Sequence, residues 1–75
     1  MQTLTIKPCG KDRFDRPIFV DAECNAYVDL DPRNPGTCIA TKYPKKEAYY
    51  GEPDYKLTGR DDGRPDLVKI QILPA

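Results

Sequence analysis

The densest chemistry in this 75-residue sequence lies between Lys42 and Tyr55. Lys42-Tyr43-Pro44-Lys45-Lys46-Glu47-Ala48-Tyr49-Tyr50-Gly51 interleaves tyrosines with lysines, and Glu52-Pro53-Asp54-Tyr55 adds two carboxylates and a further ring. Tyrosine faces stack on unpaired bases while lysines neutralise phosphates. Tyr43, Lys45, Lys46, Tyr49 and Tyr50 could therefore hold a single nucleic-acid strand. The same rings are large, rigid and able to hydrogen-bond at their rim, which suits a protein interface equally. A structural use competes with both, in which two of the rings lie against a small core with their hydroxyls at the surface. In Tyr50-Gly51-Glu52-Pro53-Asp54 the glycine permits a left-handed backbone and the proline fixes the next turn. That turn would present Glu52 and Asp54 outward between Tyr50 and Tyr55, an acidic contact for a basic partner.

The remaining reactive side chains carry less. Acidic residues come in pairs: Asp12 with Asp15, Asp21 with Glu23, Asp29 with Asp31, and Asp61 with Asp62 and Asp66. A calcium loop could begin at Asp29, but Arg33 and Pro35 stand where ligands and the sharp-turn glycine belong. These acids read as turn caps. Glycoside hydrolysis by paired carboxylates would need a substrate cleft that a chain this short seldom offers. Cys9, Cys24 and Cys38 are far apart and form no C-x-x-C pair. Lys7 and Lys11 flank Cys9, yet no base accompanies it. Histidine is absent altogether, which removes Ser-His-Asp and Cys-His catalysis, imidazole zinc sites and a histidine-ligated haem. The expectation is no catalytic residue, no metal and no cofactor.

Charge narrows the partners. Twelve basic and 12 acidic groups leave no net charge, so the bulk electrostatic case for DNA or an anionic membrane disappears. Another protein is the favoured partner, a single-stranded nucleic acid the alternative, and a membrane is not expected. No apolar run approaches the ~20 residues of a membrane span. Met1 to Cys9 carry only Leu4 and Ile6 as large apolar groups, so no secretory leader is expected. The chain reads as cytoplasmic, with reduced thiols.

The elements that must position these groups are short. Eight prolines and five glycines punctuate the chain, leaving little room for a helix of average length. The one helical-looking run, 45–50, is as compatible with a single helical turn as with an extended segment. Strand patterns fall at 3–6, 17–20, 26–30, 38–41, 55–58 and 67–73. The polar stretch 21–25 reads as a hairpin loop, while 11–16, 31–36 and 59–65 read as turn-rich connections. Val68, Ile70 and Ile72 share one face of the last strand and are expected to pack on Phe19, Val28 and Leu30. That strand reads as antiparallel and half-buried. The result is one mainly β domain over residues 1–75, a small antiparallel meander or open barrel of five to six short strands.

Four motifs, read in order, add context. Ile6-Lys7-Pro8-Cys9-Gly10, Asp15-Arg16-Pro17-Ile18-Phe19, Val28-Asp29-Leu30-Asp31-Pro32-Arg33-Asn34-Pro35 and Tyr50-Gly51-Glu52-Pro53-Asp54 cover much of the first 57 residues. Together they resemble the small large-polyvalent-protein-associated domains carried by conjugative transposons and phages of Firmicutes. From Lys56 onward the chain departs from that pattern. The resemblance implies an accessory protein of a mobile genetic element in a bacterial cytoplasm, beside DNA-processing machinery. It carries over no catalytic residue.

With no histidine and no close cysteine pair, folding should depend on neither metal nor disulfide. A strong chelator and a reductant added together should leave the melting temperature unchanged; a fall of about ten degrees would reinstate such a framework.

Overall fold

The computed structural model describes residues 2–74. Six strands follow in chain order: β1 (Gln2–Lys11), β2 (Pro17–Val20), β3 (Ala26–Asp29), β4 (Ile39–Thr41), β5 (Tyr55–Lys56) and β6 (Val68–Ile72). One turn of 3-10 helix, Lys45–Glu47, lies between β4 and β5. The strands form one sheet in the order β5-β4-β3-β2-β1-β6, curled into a half-barrel. The mainly β class expected from the sequence is what the chain adopts.

Strands β1 to β5 make an antiparallel meander. The last strand corrects the expectation of a purely antiparallel sheet. β6 runs parallel to β1, aligning Gln2 with Val68 and Ile6 with Ile72. β1 also continues beyond Pro8, where its strand pattern was expected to stop. Its register with β2 shifts between Pro8 and Gly10, leaving Cys9 as the extra residue of a bulge. A bulge tolerates proline because one ladder bond is already lost there.

Two hairpin loops of one design join the first three strands. Asp12 Oδ1 accepts the N–H groups of Phe14 and Arg16, both at 2.9 Å. Asp21 Oδ1 accepts those of Glu23 and Asn25, at 2.9 and 3.0 Å. In each loop the fourth residue turns left-handed, Asp15 at φ 63° and Cys24 at φ 64°. This is a turn closed by one left-handed residue, a common short hairpin connection. The second loop was legible as a hairpin; the first, at 12–16, was expected only as a connection.

β3 is buried along its whole length, and this divides the core in two. Inside the curl, Ile6, Phe19, Tyr27, Ile39 and Leu57 cluster, with Leu4, Val68 and Ile70 half-buried against them. On the outer face, Ile18, Ala26, Val28 and Ala48 cluster beneath Leu30 and Tyr49. The single core expected between β6 and Phe19, Val28 and Leu30 is therefore corrected. Val68 and Ile70 share a cluster with Phe19, whereas Val28 and Leu30 belong to the opposite face. Ile72 is 36% exposed.

The curl brings the two sheet edges together at one point, where the Leu67 N–H donates to Leu57 O at 2.9 Å. Gly36, at φ 84°, lets its loop lie against β6; a Cβ there would stand 3.2 Å from Ile72 Cδ1. Among the described residues no helix is long and apolar enough to cross a membrane.

Ile39 is fully buried and Ile70 only half. Ile39→Ala should cost about 2–5 kcal/mol in urea denaturation, and Ile70→Ala distinctly less. Equal losses would contradict this arrangement of the core.

Candidate functional site

The 42–55 segment is shaped by a short turn. Glu47 N–H donates to Pro44 O at 2.9 Å and Ala48 N–H to Lys45 O at 3.2 Å. This directs Ala48, which is fully buried, onto the outer cluster. Tyr49 follows it and packs half-buried on the same face. Its hydroxyl donates to Cys9 Sγ at 3.1 Å. Burial first, then that hydrogen bond, push the Tyr49 hydroxyl up to about 12. Tyr49 is thus part of the scaffold, unlike Tyr43 and Tyr50, which are exposed. Tyr50 is 79% exposed, its ring 6.1 Å from that of Tyr49.

Glu52 turns out to be anchored. It lies 3.3 Å from Arg16 Nη1, and Arg16 Nε donates to Asp12 Oδ2 at 2.8 Å. Arg16 Nη2 lies equally close to that oxygen, as an ion-pair contact without hydrogen-bond alignment. The guanidinium also lies 5.0 Å from the centre of the Phe14 ring. The Gly-Glu-Pro-Asp turn therefore touches the first hairpin loop through this ion pair, while the Glu52 side chain stays 68% exposed and faces outward as expected. Lys46 stays exposed on the 3-10 turn.

The remaining candidates converge. Tyr43, Lys45, Asp54 and Tyr55 form the rim of a cleft of about 580 Å³, whose floor is Thr41, Leu57, Leu67 and Val68. It opens between the last residue of β4, the first of β5 and the first of β6. Tyr43 is 84% exposed and Tyr55 51%. The Lys45 ammonium reaches inward to 5.8 Å from the centre of the buried Tyr27 ring. Neither Lys45 nor Asp54 has an ion-pair partner among the described residues. Beyond Asp54, the neighbouring charges neutralise one another: Lys56 with Asp61 at 2.6 Å and Arg60 with Asp62 at 2.7 Å.

Sequence reasoning missed the floor of this cleft. Leu67 and Val68 were legible as strand residues, but the parallel pairing that carries them to Leu57 leaves no local trace. Asp12, Asp21, Asp29, Asp62 and Asp66 accept main-chain N–H groups at turns, as expected, whereas Asp15 and Asp61 pair with Lys11 and Lys56 instead. Asp29 is the exception in its setting. It is wholly buried and accepts only the N–H groups of Asp31 at 3.0 Å and Gly36 at 3.5 Å. Burial pushes its carboxyl above the usual range, more than those two bonds pull it back. The three thiols are free: Cys9 and Cys24 exposed, Cys38 half-buried.

Comparison with family models, with curated proteins and with solved structures finds no match to this chain.

The two hairpin carboxylates set the acid limit of the fold. Burial pushes Asp12 and Asp21 up, but their hydrogen bonds outweigh it and hold both below the ordinary 3.8. A folded pKa below the unfolded one gives stability that is present above 3.8 and lost as pH falls through the lowered value. Stability should therefore fall steeply below pH about 4, and Asp12→Asn with Asp21→Asn should flatten that fall. A parent whose melting temperature is level from neutrality to pH about 2 would contradict the assignment.

Proposed function

We propose that this chain is a non-enzymatic protein-interaction module, an accessory component of a mobile genetic element working in the bacterial cytoplasm. The observation that carries the interaction reading is the Tyr43–Tyr55 cleft. Two largely exposed aromatic rings stand over an apolar floor, beside a lysine and an aspartate with no ion-pair partner. Tyrosine enriches the energetically dominant centres of protein interfaces, and exposed aromatic surface of this kind marks contact sites. The mobile-element context rests on the motifs from Ile6 to Asp54 and their resemblance.

The alternative is a single-stranded nucleic-acid module using residues 42–50. Tyr50 and Tyr43 are exposed enough for stacking, and Lys42, Lys45 and Lys46 lie beside them in sequence. Against this stand Asp54 at the same rim and a net charge of zero.

Two measurements separate these readings. Affinity capture from the producing cells should retain a discrete protein, lost with a folded Tyr43→Ala/Tyr55→Ala variant. Titration with a labelled single-stranded oligothymidylate should give no affinity tighter than about 100 μM at physiological salt. Micromolar binding with a log–log salt slope near −2, as expected for about three neutralised phosphates, would favour the alternative.

A further inference from the structure

Resting on the interaction-module reading, we propose that the cleft between β5 and β6 receives an extended polypeptide segment. That segment would carry apolar side chains flanked by one acidic and one basic residue. Three observations lead there.

The first is the nature of the walls. β5 and β6 are the two edges of the sheet, each hydrogen-bonded to a neighbouring strand on one side only. The Leu67 N–H to Leu57 O bond already joins these edges by main-chain pairing, and the cleft opens beside it. An edge with unpaired main-chain groups is a template for an added strand. β6 contains no proline and no bulge, and Lys69 is its only charged residue. β5 is far shorter and follows Pro53, and the Gly36 loop lies against the far end of β6 at Ile72. The start of β6, which borders the cleft at Val68, is therefore the less protected edge.

The second is the floor. Leu57, Leu67 and Val68 with the faces of Tyr43 and Tyr55 form an apolar lining. The volume of about 580 Å³ falls in the range that holds several side chains or a drug-sized molecule. In an extended chain alternate side chains point the same way, so an apolar–x–apolar sequence could fill it.

The third is charge. Lys45 and Asp54 stand at one rim with no ion-pair partner among the described residues. An occupant with one carboxylate and one cation complements both, whereas a polyanion meets Asp54 and a polycation meets Lys45. Rim charges of this kind select partners more than they add affinity. The complementarity favours a mixed-charge peptide over a nucleic acid strand.

The test uses blocked pentapeptides with a valine-phenylalanine-valine centre and three end pairs: acidic with basic, both acidic, or both basic. Amide nitrogen–proton spectra of the labelled full chain report binding. The mixed peptide should shift Tyr55, Leu57 and Val68 and bind about tenfold tighter than either single-sign peptide. Lys45→Glu should move the preference to the doubly basic peptide, and Asp54→Lys to the doubly acidic one. Both residues are exposed, and the same spectra report whether each variant is folded. A serine-centred mixed peptide should not bind. Shifts confined to another face, equal affinity for all three peptides, or no shift at millimolar peptide would overturn the proposal. If a cellular protein is still captured through Tyr43 and Tyr55 in that case, the interaction reading stands and only the peptide assignment fails. Oligothymidylate shifting the same amides at micromolar concentration would overturn both.

Discussion

β1 divides its length between two neighbours, and the shape of the sheet depends on that division. Gln2 to Ile6 pair with β6, whereas Lys7 to Lys11 pair with β2. β6 is therefore displaced along the sheet relative to β2, the stagger a sheet needs if it is to curl toward a barrel. The bulge at Cys9 adds local bend near the changeover, since an extra residue on one strand increases twist. Curling in turn carries the start of β6 to the end of β5, where Leu67 meets Leu57. The inner cluster of Ile6, Phe19, Tyr27, Ile39 and Leu57 is covered on that side by Val68 and Ile70. A chain of this size buries a modest share of its surface, about 60%. Losing the β6 pairing would therefore remove a large part of what closes the core.

The aromatic polar group that enters the inner core is satisfied there. The Tyr27 side chain is completely buried, and its hydroxyl donates to Asp21 Oδ2 at 2.8 Å. Asp21 thereby serves two structures at once, the hairpin loop through Oδ1 and the inner core through Oδ2. Asp12 is used in a parallel way, capping the first loop and holding Arg16, which reaches Glu52. Both loops are short, and the first also touches the segment that bears the exposed tyrosines, through Arg16 and Glu52. Asp29 lacks such a cationic or hydroxyl partner and accepts only main-chain N–H groups. Its buried charge therefore opposes folding as pH rises through its raised pKa, the reverse of Asp12 and Asp21.

Much of the meander was legible from residues alone because its signals are local. Pro17–Val20 is a short apolar run followed by an aspartate-led turn, and Ala26–Asp29 follows in register. Asp12, Asp21, Asp29 and Asp62 were legible as turn caps, since aspartate bonds its own backbone two residues on. What escaped was non-local. Val68, Ile70 and Ile72 alternate as an antiparallel strand would, and nothing in their pattern distinguishes a parallel partner. The split core escaped because Tyr27, a residue often found at surfaces, is buried, so β3 is buried on both faces. Of the candidate surface, Tyr43, Lys45, Asp54 and Tyr55 meet at one cleft, Tyr49 is drawn into the scaffold, and Glu52 stays exposed beside Arg16. Ala48 decides Tyr49's fate, because seating so small a side chain on Val28 and Ile18 brings the next residue down with it.

The choice of tyrosine at the cleft rim has a physical logic of its own. An apolar opening between two strand edges invites edge-to-edge association, a hazard that proteins usually counter with charge, proline or short strands. Here β5 is cut to two residues behind Pro53, and Lys45 and Asp54 stand at the opening. Phenylalanine or leucine in place of Tyr43 and Tyr55 would enlarge the exposed apolar patch with nothing polar to hydrate it. A tyrosine ring supplies almost the same contact area but keeps a hydroxyl in water, so the empty cleft remains tolerable to solvent. Few rotatable bonds also mean that little side-chain entropy is lost when a partner arrives. On the proposed interaction reading, such a rim would tolerate exposure alone and lose little on gaining a partner.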